Sequence, residues 1–99
     1  MATRQEQVMI HLYGQKYRGN EYVMPYETTQ DGIAEAVGIS RGQMATVVKM
    51  LEDKGLVTHF QRHVYSDKLR RKSRRKCYKL EYIGILTARG LLEASKGVA

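Results

Sequence analysis

Lys68 to Lys76 reads KLRRKSRRK, seven basic side chains in nine positions with no acid. Guanidinium and ammonium groups at this density can neutralise a row of phosphates, and arginine can also reach into a narrow minor groove. Without these seven the chain holds 10 basic and 10 acidic residues, so its net charge of +7 resides in this one segment. A neutral body with one cationic arm is suited to touching a polyanion at one place. A second group has different chemistry. Arg41, Gly42, Gln43, Thr46 and Lys49 fall on the helical face opposite the stripe Met44, Val47, Val48 and Leu51. Arg and Gln can each make paired hydrogen bonds to a base edge, typically guanine and adenine, and Lys49 suits a phosphate. Small neighbours such as Gly42 and Ala45 let a helix sit deep in a groove about 12 Å wide.

Other chemistries find little support. The chain shows no glycine-rich phosphate loop, serine-nucleophile motif or paired-carboxylate site, so no enzyme, catalytic residue or cofactor is expected. His59 and His63 share one strand face, and Cys77 lies across a proposed hairpin. Their order matches no standard zinc spacing, so surface histidines and a packed thiol are expected rather than a metal site. A single cysteine forms no intramolecular disulfide and fits a reducing, intracellular (cytoplasmic) setting. No stretch approaches the roughly 20 apolar residues that span a bilayer, and the first residues, MATRQEQVMIHLYG, lack the apolar run of a secretory signal. No membrane partner is expected. The 99 residues suit one domain, 1–99, with one modest core. The ending EASKGVA fits a complete small protein or the opening module of a longer one.

The elements that position these residues follow from periodicity and punctuation. Thr3 and Glu6 have capping-box spacing before a first helix of about Arg4 to Tyr17. Arg18-Gly19-Asn20 breaks it, and Glu21–Met24 is a short strand stopped by Pro25. Thr28 or Thr29 can cap a second helix, with Asp31 in its first turn favourable to the helix dipole. Gly38-Ile39-Ser40 is a three-residue turn whose glycine ends one helix and whose serine caps the next, Arg41 to about Lys54. Gly55 stops that helix. Leu56–Tyr65 and Lys76–Leu86 are two strand-like runs, with the basic cluster as the extended tip between them. Gly84 marks a bulge or a close packing point. Thr87 caps a final short helix, Ala88 to about Ala94.

This order is that of a winged helix–turn–helix domain. It predicts an α+β fold, mainly α: a three-helix core, a β-hairpin wing and a short C-terminal helix. The helix–turn–helix occupies about 29–54 and the wing about 56–86. The stretch TQDGIAEAVGISRGQMATVVKMLEDKGLV, followed by Leu86-Thr87 and Gly90, resembles the core of MarR-like and ArsR-like winged helix regulators, especially archaeal ones. The resemblance covers about Thr28 to Gly90. It implies sequence-dependent binding of double-stranded DNA and transcriptional control. Departures are the short terminal segments, where full-length MarR-type regulators carry dimerisation helices, and the lack of an ArsR-type cluster of metal ligands. The expected DNA contacts are Thr29, Gln30, Ser40, Arg41, Gly42, Gln43, Thr46 and Lys49 on the helix–turn–helix. On the wing they are Arg70, Arg71, Lys72, Arg74, Arg75 and Lys76. A homodimer through the first and last helices suits paired half-sites. Two other classes stay open: a winged helix that docks proteins, and an RNA binder with Tyr65 as its stacking candidate.

Overall fold

The computed structural model describes residues 3–15, 23–66 and 71–97. Helix α1, Arg4–Tyr13, opens on the Thr3 and Glu6 capping box expected of the sequence. It ends earlier than Tyr17, because Gly14 and Gln15 form a turn; Lys16 to Tyr22, with the expected break, lie outside the described residues. Strand β1, Val23–Met24, precedes a 3-10 turn, Tyr26–Thr28. Helix α2, Gln30–Val37, is capped by Thr29 and ended by Gly38 in the left-handed conformation at φ 80°. Helix α3, Arg41–Asp53, is capped by Ser40. Gly55, at φ 74°, turns the chain out of it into strand β2, Val57–Ser66.

The second half departs from expectation in two places. Strand β3 is Arg71–Leu80, so Arg71 to Lys76 form the strand itself and are not a loop. Arginine and lysine are not strong strand formers, but a continuous antiparallel register with β2, from Val57↔Leu80 to Ser66↔Arg71, overrides local preference. The connecting residues 67–70 lie outside the described set. The second departure is helix α4, which runs Tyr82–Gly97 and so begins six residues before Ala88. Thr87 is therefore inside the helix, where its hydroxyl donates to the Ile83 carbonyl at 2.8 Å, and it caps nothing. Gly84 is not a bulge but the close packing point: a Cβ there would overlap the Leu56 carbonyl.

The sheet has the order β1-β2-β3, with β1 parallel to β2 through Met24↔Val64. The core lies between α1, α2, α3, the near end of the hairpin and α4. Val8, Leu12, Ile33, Met44, Leu51, Tyr78 and Ala88 are all buried in it. A smaller cluster of Met24, Val64 and Cys77, flanked by Tyr26 and Phe60, fastens the far part of the hairpin to the 3-10 turn. His11 adds a polar tie, its Nε2 lying 2.8 Å from the Glu27 carbonyl. The hairpin is thus seated on the helical body from two apolar patches.

Candidate nucleic-acid interface

Helix α3 is aimed by its stripe. Met44, Val47, Val48 and Leu51 are buried at i, i+3, i+4 and i+7, which turns Gly42, Gln43, Ala45, Thr46 and Lys49 to solvent. The N-terminus is fixed by a reciprocal cap: the Gln43 N–H donates to Ser40 Oγ at 3.2 Å, and the Ser40 N–H donates to Gln43 Oε1 at 3.1 Å. Gln43 therefore enters the surface already oriented, with its amide N–H groups as donors. Thr46 Oγ1 lies 3.4 Å from the Gly42 carbonyl, keeping that hydroxyl close to the helix. Ser40 is exposed at the head of this face.

The first turn of α2 braces α3 against the wing. Thr29 is 2% exposed. Its hydroxyl donates to the Tyr26 carbonyl at 2.7 Å and accepts from the Gly32 N–H at 3.1 Å. That side chain is committed inside the protein. Gln30 reaches both neighbours at long range: its Nε2 donates to the Arg41 carbonyl at 3.4 Å and its Oε1 accepts from the Tyr78 hydroxyl at 3.5 Å. Asp31 reaches both as well, with Oδ1 2.8 Å from Arg41 Nε and Oδ2 3.6 Å from the Arg75 guanidinium. The Arg41 N–H does not point along the short contact, so Oδ1 is ion-paired without an aligned hydrogen bond.

These contacts bring the two basic groups of the sequence to one surface. Thr29, Gln30, Asp31, Arg41, Arg75 and Lys76 line one shallow depression. Gln30, Ala45, Val48, Lys49, Glu52, Lys76 and Tyr78 line its neighbour. Lys76 is common to both, so the basic strand borders the outward face of α3. Arg74 and Lys76 are exposed, whereas Arg75 and Ser73 are half-buried, the alternation expected of a strand. Arg74 Nε donates to Gln61 Oε1 at 3.0 Å. Arg71 and Lys72 occupy β3 opposite Ser66 and Tyr65, and Arg70 lies outside the described residues.

Several neighbours of this surface were not singled out by sequence. Asp31 is legible as a first-turn acid, but its bridging of two arginines requires the tertiary fold. Arg62 faces Arg75 across the hairpin, and like charges so placed repel. The pair is relieved because Arg75 turns to Asp31 while the Arg62 guanidinium lies 5.0 Å from the Phe60 ring centroid. His59 Nδ1 lies 2.9 Å from Glu52 Oε1, tying β2 to the end of α3. Cys77 sits opposite Phe60, and His63 opposite Arg74, so Cys77 and His63 face opposite sides of the sheet. Burial pushes the Cys77 thiol pKa up, against thiolate chemistry. Burial, with the nearby Glu52 charge, likewise raises that of the Tyr78 hydroxyl. Among the described residues no group of three His, Cys, Asp or Glu could hold a metal ion, and no helix is long and apolar enough to cross a membrane.

Residues 26–58 match a family of winged helix-turn-helix DNA-binding domains. The fold is that of a winged helix, and this segment is its helix–turn–helix. The chain is similar in structure to MepR, a transcription regulator of the Staphylococcus aureus multidrug efflux pump MepA. The TM-score is 0.69 at 21% identity, over 99% of this chain and 60% of that one. It is similar to S. aureus MepR solved in complex with DNA, with TM-score 0.68 and 18% identity, over 99% and 67% of the two chains. It is also similar to ZitR of Lactococcus lactis, with TM-score 0.67 and 17% identity, over 96% and 58%. At such identities the likeness is one of fold, and the chain spans about three-fifths of the length of MepR and ZitR. No curated protein sequence matches the chain.

Proposed function

We propose that the chain binds double-stranded DNA as a transcriptional regulator, or as the reading module of one. In this reading α3 enters the major groove and the basic strand lies on the flanking phosphates or minor groove. The observation that carries it is the junction at Lys76, where the small, polar outward face of α3 meets the cationic strand in one continuous surface. The resemblance to a fold solved on DNA agrees with this placement. A protein-docking face would expose large apolar side chains. Here the large apolar side chain exposed on α3 is Met50, at the edge, and its sulfur accepts from Gln5 Nε2 of α1 at 3.6 Å.

Within this reading Arg41 and Gln43 read bases, Gly42 and Thr46 allow close approach, and Lys49, Arg74 and Lys76 meet phosphates. Ser40 and Gln30 hold the geometry, as does the buried Thr29. Two copies bound to paired half-sites form the expected assembly, with α1 and α4 as the contacting elements. Sedimentation that shows monomer alone at high concentration argues against that assembly.

The direct test is fluorescence anisotropy with mixed-sequence duplex DNA across a salt series. A steep loss of affinity with salt supports the reading; no binding at low salt overturns it. Arg41→Ala or Gln43→Ala is expected to reduce discrimination between sites by about 1–3 kcal/mol, the worth of a paired base contact. Equal loss on all sequences would make them backbone contacts. Gly42 offers a contrast between folding and binding. A Cβ there meets open space. Gly42→Leu is expected to leave stability in a thermal melt unchanged or raise it, by up to about 1 kcal/mol of helix propensity. The same change should weaken duplex binding by about tenfold, because the longer side chain holds the helix off the groove floor.

A further inference from the structure

Of the charged groups that line the depression between α2, α3 and β3, Asp31 is the one with the wrong sign for a phosphate neighbour. It occupies the depression rimmed by Arg41, Arg75 and Lys76, and it pairs with both arginines. Its side chain is 25% exposed, while those of Arg41 and Arg75 are 79% and 33% exposed. The geometry of the pairs is poor. One contact is short but off the N–H axis, and the other is 3.6 Å. An aligned, bidentate partner for either guanidinium would hold it better, and a guanine edge or phosphate oxygens supply that shape.

We propose that Asp31 is a specificity-determining residue, an internal stand-in for DNA that occupies the base reader Arg41 and the phosphate-facing Arg75 until a well-fitted duplex displaces it. The inference rests on the DNA-binding reading and deepens it. In the free protein the three groups carry one net positive charge instead of two. A random duplex therefore meets a muted seat at the junction of α3 and β3, while the exposed Arg74 and Lys76 remain available for general phosphate contact. A duplex that also satisfies the outward face of α3 gains enough elsewhere to pull the arginines from the carboxylate. Asp31 thus lowers affinity for all DNA, but lowers it most where the rest of the fit is poor.

The experiment compares the unaltered protein with Asp31→Asn on mixed-sequence duplex across a salt series. The expected result is tighter binding, by about tenfold at about 0.1 M salt, and a salt slope steeper by about 1, from one more phosphate neutralised at Arg75. The double variant Asp31→Asn with Arg75→Gln should give back about 0.9 of that slope. Circular dichroism and a thermal melt establish that each variant is folded, since Asp31 also favours the α2 dipole. If the unaltered protein binds with a steep slope and Asp31→Asn binds equally or more weakly with no steeper slope, Asp31 only positions the arginines and the inference is overturned. If the unaltered protein shows no salt-dependent binding, the DNA reading falls and the inference falls with it.

Discussion

Changing Arg71, Lys72, Arg74 and Lys76 together to glutamine should weaken binding to every duplex alike, by about a hundredfold at about 0.1 M salt. The size follows from counterion release. Each phosphate neutralised contributes about 0.9 to the slope of log affinity against log salt, which is roughly eightfold per contact at that salt concentration. Two or three contacts from four cations give the expected loss, because neighbouring residues of a strand face opposite sides of the sheet. The slope should flatten by about 2 to 3. Arg75 is left in place because it is tied to Asp31 and to Ser73 Oγ, 3.1 Å from its Nε. The fold should survive, since Arg74 and Lys76 are exposed and β3 is held by its backbone register with β2. Exposed substitutions of this kind usually change stability by about 0.5 kcal/mol or less each. Anisotropy titrations with unrelated duplexes check the result. An unchanged slope, or loss on one sequence alone, would remove the strand from the phosphate-binding role.

The part of the chain that sequence describes well is the part governed by local rules. Thr29 and Ser40 cap where their hydroxyls suggest, Gly38 and Gly55 take left-handed conformations at the helix ends, and the α3 stripe is buried at its expected spacing. The position of the winged helix fold and the location of the cationic arm follow from these. What local rules miss is decided by partners distant in sequence. The run KCYKLEYIGIL looks like one strand because Tyr82, Ile83 and Ile85 are good strand formers. Yet the chain turns into a helix at Tyr82, because small inward residues, Gly84 and Ala88, let α4 press onto Leu56 and the core, with Ile85 packed beside them. The large Tyr82, Ile83 and Leu86 point outward, reversing the usual cue. The basic run is drawn into β3 for the same reason, through pairing with β2. At the interface, the exposed cations are legible from charge alone, whereas the bracing of Arg41 and Arg75 by Asp31 depends on the α2–α3–β3 junction.

Gly84→Ala should lower stability by about 1–3 kcal/mol, although alanine is the better helix former. A methyl at Gly84 overlaps the Leu56 carbonyl and comes 3.2 Å from Leu80 Cδ2. The carbonyl cannot easily step aside. Leu56 is held on both sides: its N–H donates to the Leu51 carbonyl at 3.0 Å, and its carbonyl accepts from the Glu81 N–H at 2.9 Å. Relief therefore shifts either the exit from α3 or the first turn of α4. Overpacking of this kind costs about 1–3 kcal/mol, and loss of the Glu81 bond adds about 1 kcal/mol. The propensity gain of about 1 kcal/mol offsets only part of this. For a chain of 99 residues the melting temperature should fall by about 5–20 °C. Gly90→Ala supplies the control in the same helix. A Cβ at Gly90 meets open space, so the same chemical change should raise stability, by up to about 1 kcal/mol. Opposite signs for the two variants in thermal or urea melts would show that α4 begins at Tyr82 and packs through Gly84. If both variants were stabilised, the contact between α4 and Leu56 would be disproved.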